Sequence, residues 1–391
     1  MPCRGQIERT QIGLRCSPKC SRWRGNIQTR SGDLVMAQHF HPLEIKDVRR
    51  ETADCISVAF AVPDELKAIF AYQSGQYVTL RAEVGDQELR RSYSLCSAPL
   101  HNEWRVAIKR VEDGMFSQWA HALLRAGETI DVLPPDGHFK YPPEGDEPRN
   151  VLLLAAGSGI TPILSILTTL LETQSTTNVT LVYGNRRVKD IIFKEQIEDL
   201  RDQYLTRFQL IHTLSGEIQD APIANGRLDG TKLSQLFGTL INPKKLDHVY
   251  ICGPNEMITS CAEACEHAGI STERIHKELF GAPTGAQPQA QRDASSGDGA
   301  KVRVVADGIE RELVVPYRGD SVLDVVLRAG IDVPYACKAG VCCTCRAQVL
   351  EGEVRMDANY TLEQHEVDRG FVLTCQSHPI TTTVKLSYDA R

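Results

Sequence analysis

Four cysteines in the last part of the chain have the spacing of a metal-cluster site. Cys337, Cys342 and Cys345 form a C-x4-C-x2-C run, and Cys375 follows further along the chain. This is the plant-type spacing for a [2Fe–2S] cluster, in which one loop presents three thiolates and a distant fourth completes the set. A four-cysteine zinc site usually has two short C-x2–4-C pairs, and only one half of this set fits that pattern. The sequence therefore predicts an iron–sulfur cluster, with the intervening Cys343 as a non-ligand.

A second group of residues could bind a flavin dinucleotide. The tetrapeptide Arg-Ser-Tyr-Ser supplies Arg91, Tyr93 and Ser94, and a Gly-Met-Phe-Ser segment supplies Gly114 and Ser117. An arginine can hold a pyrophosphate, and an aromatic ring can lie on an isoalloxazine. A glycine before a helix exposes backbone amides to phosphate oxygens. Each segment alone is typical of an ordinary strand or helix start, but their order and separation together predict an FAD site.

A third group could bind a pyridine nucleotide. Residues 151–162 run from an apolar strand through a turn with Gly157 and Gly159 into a helix, although they do not form the G-x-G-x-x-G fingerprint. The next strand ends at Arg186, where an arginine suits a ribose 2′-phosphate and favours NADPH over NADH. The alternative is an arginine in an ordinary solvated loop. Cys252 and Gly253 end a later strand, at the edge where open α/β sheets bind ligands.

The elements that must position these groups divide the chain into segments. Residues 1–36 carry many arginines without apolar periodicity and predict a disordered leader. Residues 37–142 have short alternating strands typical of an antiparallel β-barrel, and residues 143–281 alternate apolar strands with helices, as in a parallel α/β domain. Residues 282–300 contain no large apolar residue and predict a flexible linker that lets the following domain swing. Residues 301–391 contain a predicted hairpin, a helix and the cysteine run.

Composition excludes several classes of protein. The chain has 391 residues, a net charge of −6 and 24% charged residues, which is typical of a multidomain globular protein and disfavours nucleic-acid binding. The one apolar run of membrane length, residues 151–171, is interrupted by Gly157, Gly159 and Pro162, so no membrane span is predicted. The first residues lack a secretion signal, and the clustered cysteines predict metal ligands rather than disulfides. We therefore expect a cytoplasmic protein.

From about residue 40 to its end, the chain resembles the ferredoxin–NADP reductase superfamily fused to a C-terminal plant-type ferredoxin. The segments RRSYSLCSAP, VAIKRVEDGMFSQWA and EGEVRMDANYTLEQHEVDRG resemble the reductase subunits of the phenylacetyl-CoA epoxidase family. The resemblance implies an antiparallel β-barrel flavin domain, an α/β parallel-sheet nucleotide domain and an α+β iron–sulfur domain of the β-grasp type. It also implies cofactor-binding roles for Arg91, Tyr93, Ser94, Lys109, Gly114, Ser117, Gly157, Gly159, Thr161, Arg186, Cys252 and Gly253. It further implies a catalytic group of Tyr93, Ser94, Cys252 and Glu278.

These cofactors predict a pathway for electrons. Nicotinamide gives up two electrons as a hydride, a [2Fe–2S] cluster accepts one, and a flavin can do both. A plant-type cluster has a potential near about −400 mV, low enough to reduce an oxygenase iron centre. The resemblance therefore implies NADPH, FAD and a cluster feeding a separate di-iron oxygenase, namely phenylacetyl-CoA epoxidase. The alternatives are the same chemistry serving a steroid, alkane or aromatic-ring hydroxylase, and a non-catalytic redox sensor.

Overall fold

The computed structural model describes residues 39–141, 147–281 and 299–390. The predicted leader at 1–36 and the predicted linker from 282 to 298 lie outside the described residues. In the described part of the chain, no helix is both long and apolar enough to cross a membrane.

The first part of the described chain forms a six-stranded antiparallel sheet. Its strands are β1 (His41–Thr52), β2 (Cys55–Ala61), β3 (Tyr77–Val84), β4 (Gln87–Ser94), β5 (Trp104–Lys109) and β6 (Thr129–Asp136), with helix α1 (Met115–Leu123) between the last two. The strand order is β4-β3-β6-β1-β2-β5. A bridge between Leu95 and Val106 joins the two edges, so the sheet closes into the predicted barrel around buried side chains such as Ile45, Val58 and Leu80.

The second part is a five-stranded parallel sheet with helices between its strands. Its elements are β7 (Asn150–Ala156), α2 (Ile160–Thr173), β8 (Asn178–Asn185), α3 (Lys194–Gln203), β9 (Phe208–Leu214), α4 (Gly230–Phe237), β10 (His248–Cys252), α5 (Asn255–His267) and β11 (Ile275–Glu278). The order β11-β10-β7-β8-β9 places β8 and β10 on opposite sides of β7. The direction of winding therefore reverses at β7, and ligands of such sheets bind where it does so.

Helix α3 begins later than the sequence pattern indicates. The pattern of residues 191–200 predicts a helix over the whole segment, but the structure starts it at Lys194. Ile191, Ile192 and Phe193 are instead buried in the core. Phe193 has a φ of 59°, which is left-handed backbone and cannot continue a right-handed helix.

The third part is a mixed sheet with two short helices. Its elements are β12 (Gly299–Ala306), β13 (Ile309–Pro316), α6 (Val322–Arg328), β14 (Arg346–Glu351), β15 (Val354–Met356), α7 (Gln364–Asp368), β16 (Phe371–Leu373), β17 (Ser377–Pro379) and β18 (Thr383–Ser387). The main sheet has the order β13-β12-β18-β14-β16, and β15 pairs with β17. Ser321 and Asp324 form a capping box that starts α6. Strand β12 begins at Gly299, so the last two residues of the predicted linker lie within it.

Candidate functional site

The glycine turn after β7 lies directly against the end of β10. Gly157 has a φ of 54°, and its carbonyl accepts a hydrogen bond of 3.0 Å from the Tyr183 hydroxyl. A Cβ placed on Gly159 would lie 2.1 Å from the carbonyl oxygen of Cys252. Thr161 donates to the Ser158 carbonyl at 3.1 Å and thereby closes the turn. The turn needs glycine because the backbone of β10 leaves no room for a side chain.

A cavity of about 1050 Å³ opens beside this turn, at the carboxyl ends of β7, β8 and β10. Four predicted residues line it: Lys109, Gly157, Arg186 and Gly253. Its basic side chains are Lys109, Arg186, Arg187, Lys189 and Arg227, and its acidic ones are Asp54, Asp190, Asp229 and Glu256. Its size and its basic groups fit a pyridine dinucleotide. Gly159 and Thr161 do not line the cavity; they shape the turn beneath it.

Of the cavity residues Arg227 and Asn255, only Arg227 carried no signal in the sequence, because Asn255 belongs to the segment from Cys252 to Met257 at a predicted ligand-binding strand end. Arg227 follows the turn at Gly226, and Asn255 begins α5 immediately after the predicted Cys252-Gly253 segment. The sequence indicated the start of α5, because a strand-to-helix junction at a sheet edge is a recurrent ligand site. Arg227 belongs to no motif and reaches the cavity only through the fold.

Three of the four predicted catalytic residues meet where the barrel contacts the parallel sheet. Ser94, the last residue of β4, donates a hydrogen bond of 3.3 Å to a carboxylate oxygen of Glu278. Glu278 ends β11 and is the register partner of Cys252 on β10. Burial raises the pKa of Glu278 to about 8, an effect that the Ser94 hydrogen bond only partly offsets. Burial also raises the pKa of the Cys252 thiol. Both groups therefore hold their protons at neutral pH.

The remaining predicted flavin residues lie along β4 and at the start of α1. The Tyr93 ring packs against Phe116 with 5.8 Å between ring centroids, and Arg91 is exposed. Gly114 precedes α1, and a Cβ there would lie 2.7 Å from the Ser117 hydroxyl oxygen. Among the described residues, no side chain caps the start of α1, so its first amides can bind an anion and the segment fits the phosphates of FAD.

The Ser117 side chain forms hydrogen bonds within the turn that precedes α1. Its hydroxyl accepts from the Val111 amide and donates to the Gly114 carbonyl, each at 3.0 Å. These bonds hold the turn that precedes the helix. The Lys109 ammonium nitrogen lies 3.5 Å from a carboxylate oxygen of Asp54, and Lys109 lines the nucleotide cavity. The predicted cofactor contacts of both side chains stay predictions.

The four predicted cluster ligands are arranged in two pairs. The sulfurs of Cys337 and Cys342 are 3.1 Å apart. A hydrogen bond between Cys345 and Cys375 lowers the pKa of Cys375 and raises that of Cys345. Within the described ranges, no three His, Cys, Asp or Glu side chains converge on one ion position. Two pairs fit a two-iron cluster, in which each iron takes two thiolates, better than a single zinc ion surrounded by four.

Backbone geometry in the cluster loop supports this assignment. The Ala339 amide donates to the Cys337 sulfur at 3.3 Å. The pKa of the Cys337 thiol is lowered mainly by its hydrogen bond with Cys342, and the loop amides lower it further. Gly340 has a φ of 73°, and a Cβ there would lie 3.0 Å from the Ala358 carbonyl oxygen. A larger residue would strain the loop at the point where amides approach the thiolates. The Cys343 sulfur lies 3.3 Å from the Tyr77 hydroxyl.

Comparison with known proteins identifies three domains in the same order. Residues 42–141 match the oxidoreductase FAD-binding domain, residues 153–263 the oxidoreductase NAD-binding domain, and residues 304–379 the 2Fe-2S iron-sulfur cluster binding domain. A component of the 1,2-phenylacetyl-CoA epoxidase of Escherichia coli is 42% identical over 90% of this chain and 98% of its own. The ferredoxin reductase component of 3-ketosteroid-9-alpha-monooxygenase from Rhodococcus rhodochrous is 36% identical over 88% and 96%.

The fold is also that of a solved reductase. The structure of phthalate dioxygenase reductase matches 89% of this chain and 98% of its own, with a TM-score of 0.54 and 22% sequence identity. That protein is described as a modular structure for electron transfer from pyridine nucleotides to [2Fe–2S]. At this identity the match establishes the architecture alone, and it agrees with the antiparallel, parallel and mixed sheets described above.

Proposed function

This chain belongs to the family of FAD-, NAD- and [2Fe–2S]-binding oxidoreductases that serve as reductase components of oxygenases, and on that premise we propose that it carries electrons from NADPH through FAD and its cluster to a separate di-iron oxygenase. The observation that carries this proposal is the contact between Ser94 and Glu278. It joins the end of the barrel strand that holds the predicted flavin residues to the edge of the parallel sheet beside the nucleotide cavity. A hydride donor and a flavin bound at these two places would share one site.

The residues at this contact suit the transfer of a hydride. When bound, nicotinamide and flavin supply the hydride chemistry, and the cluster supplies one-electron transfer. Glu278 keeps its carboxyl neutral at pH 7, so no negative charge opposes the arrival of a hydride beside Ser94. Cys252 is fully buried and holds its thiol proton, which makes this wall of the site uncharged as well.

The proposed preference for NADPH rests on the basic side of the cavity. Arg186 and Arg187 follow β8, and Arg227 lines the same cavity. A guanidinium matches phosphate geometry with paired hydrogen bonds, whereas NAD-specific sites commonly place an acidic residue at this strand end. The side chain of Asn185, which ends β8 here, has no charge, so the site lacks that acidic residue at the strand end.

We further propose that the oxygenase is phenylacetyl-CoA epoxidase, because the E. coli relative is a component of that enzyme and is 42% identical over nearly the whole chain. A 3-ketosteroid monooxygenase is the second candidate, on the 36% identity of the Rhodococcus relative. Reconstitution with each purified oxygenase separates them: oxygen consumption coupled to phenylacetyl-CoA supports the first, and coupling only to a 3-ketosteroid supports the second.

An anaerobic titration of the purified holoprotein with NADPH tests the electron pathway. We expect flavin absorbance to bleach first and the cluster to be reduced next, with about two irons per chain and acid-labile sulfide. A Cys345→Ala variant should keep flavin reduction but lose cytochrome c reduction, because the one-electron exit is missing. Stoichiometric zinc without sulfide, or a flavin that neither NADPH nor NADH reduces, would contradict the proposal.

A further inference from the structure

A buried polar contact joins the barrel to the cluster loop. Tyr77, at the start of β3, is 6% exposed, and its hydroxyl lies 3.3 Å from the Cys343 sulfur and 3.1 Å from the Thr344 hydroxyl. Cys343 and Thr344 are 2% and 1% exposed. Both lie between the predicted ligands Cys342 and Cys345. The barrel therefore holds the middle of the loop through a hydroxyl that is removed from water.

Arg90 on β4 holds the segment that leads into the loop. Its side chain is buried, it donates to the Val333 carbonyl at 3.4 Å, and its guanidinium lies 4.0 Å from the centre of the Tyr335 ring. The ring of Phe40 lies 4.8 Å from the same guanidinium. A planar guanidinium stacks on aromatic rings in a way that an ammonium does not. Tyr335 precedes Cys337 by two residues, so this stack fixes the other arm of the loop.

A third contact lies just beyond the last ligand of the run. His138 follows β6. Its Nε2 lies 3.4 Å from a guanidinium nitrogen of Arg346 and 3.3 Å from a carboxylate oxygen of Glu366. Arg346 is adjacent to Cys345 and pairs with the buried Glu366. The barrel thus contacts the loop before, within and after its three cysteines.

The strand register explains why these residues reach the loop. Tyr77 pairs with Ser94, and Arg81 pairs with Arg90, so Tyr77 and Arg90 share one face of the β3–β4 ribbon. Side chains alternate along a strand, which puts Arg91 and Tyr93 on the opposite face. The ribbon therefore carries the proposed flavin residues Arg91 and Tyr93 on one face, and Tyr77 and Arg90 on the other, where Ser94 also lies.

Local backbone makes space for this arrangement. Gly137 has a φ of 119°, and a Cβ there would lie 3.0 Å from two carbons of the Tyr77 ring. The turn after β6 accordingly accommodates the ring only because it has no side chain at this position.

We propose that Tyr77 and Arg90 are positioning residues that keep the cluster loop docked on the barrel, so that electrons pass from flavin to cluster in this docked arrangement. The inference rests on the proposed function and adds the contacts that make its second step possible. The buried Tyr77 hydroxyl finds its partners on Cys343 and Thr344 of the loop, and leaving a group so buried unpaired is costly. The contact therefore specifies one position of the loop rather than a range of positions reached by swinging of the domain.

The test uses Tyr77→Phe in the full-length holoprotein, with Tyr72→Phe as the matched control. Tyr72 is another barrel tyrosine whose hydroxyl contacts Ser97 and the Glu103 carbonyl, away from the cluster loop. Losing one neutral hydrogen bond changes an equilibrium about 2- to 10-fold. Arg90→Lys is the second variant, because it keeps the charge but loses the planar stack on Tyr335.

Two measurements are made on each protein. In the oxidised holoprotein without any substrate, amide hydrogen exchange over residues 333–346 should rise about 2- to 10-fold in Tyr77→Phe and in Arg90→Lys, and stay at the wild-type value in Tyr72→Phe. In stopped-flow experiments with NADPH, flavin reduction should keep its wild-type rate, and the later reduction of the cluster should slow in the two loop-contact variants alone.

The outcomes separate this inference from the proposed function. If wild-type flavin is not reduced by NADPH, the proposed function fails before the docking contact is examined. If flavin is reduced normally and the cluster of both loop-contact variants is reduced at the wild-type rate, the function stands and the positioning role of Tyr77 and Arg90 is wrong.

Discussion

Replacing Arg186 by alanine should reduce the preference of this protein for NADPH over NADH. Arg186 lies at the end of β8, its side chain is exposed in the nucleotide cavity, and its carbonyl accepts from the Gly216 amide at 2.8 Å. Gly216 also lies directly against the side chain of Arg186, because a Cβ added at Gly216 would lie only 2.8 Å from the Arg186 Cγ. Among the described residues, Arg186 forms no ion pair with an acidic side chain. The backbone is thus anchored while the guanidinium is available to a 2′-phosphate.

The size of the effect follows from the kind of bond that is lost. A hydrogen bond to a charged group contributes about 1.5–3 kcal/mol, which is about 10- to 150-fold in affinity. Arg186 is exposed and its charge is screened, so we expect the lower end of this range. The kcat/KM for NADPH should fall about 10-fold, and the value for NADH should stay nearly constant because NADH lacks the 2′-phosphate.

The assay is steady-state ferricyanide reduction with each nucleotide, which takes electrons from the flavin and does not require the cluster. Arg201→Ala is the control, because Arg201 is an exposed arginine on α3 that pairs with Asp202 and does not line the cavity. It should leave both values unchanged. A wild-type protein that prefers NADH, or an equal loss for both nucleotides in Arg186→Ala, would show that Arg186 does not recognise a 2′-phosphate.

Four further predictions concern other parts of the site. The rate of flavin reduction should fall as pH rises through about 8, where Glu278 loses its proton, and stopped-flow measurements should show this dependence removed in Glu278→Gln. Because the folded chain keeps this proton and the unfolded chain releases it near 4.5, Glu278 should also make wild-type stability fall with pH between these values, and urea unfolding of the Gln variant should lack that contribution. Gly159→Ala should weaken NADP⁺ binding and lower the melting temperature because its Cβ meets a carbonyl oxygen at 2.1 Å, whereas Gly238→Ala, whose nearest contact is 3.6 Å, should change neither. Iron analysis should find a full cluster in Cys343→Ala and a depleted one in Cys345→Ala; equal iron in both would mean that the ligand set is wrong.

The sequence predicted the three-part architecture because each part has its own local pattern. Alternating strands indicated the barrel, strand-and-helix alternation indicated the parallel sheet, and the structure has both. Helix α3 was misplaced at its start because burial of the apolar residues 191–193 outweighed their helical periodicity. Strand β9 and helix α4 were not predicted, since neither carries a motif, and their places follow from completing the sheet.

The tertiary structure refined the roles of individual side chains. The cofactor contact of Ser117 stays a prediction, and the structure adds that its hydroxyl holds the turn before α1. Arg91 was noticed for its chemistry, whereas its neighbour Arg90 carried no signal, although it contacts the cluster loop. The two arginines differ only in the strand face that each occupies, and that face depends on the register of β3 against β4.

The four cluster cysteines and the order of the cofactor segments were predicted from the sequence alone, because the plant-type spacing can be recognised along the chain and uses residue types that few other sites need. The docking of that loop on the barrel was decided only by the fold. Tyr77 and Cys343 are 266 residues apart in the chain, and the two come within 3.3 Å because separate sheets pack together. No sequence motif indicates that Tyr77 and Cys343 are in contact. Their contact depends on burial and strand register, which are properties of the packed chain rather than of either segment.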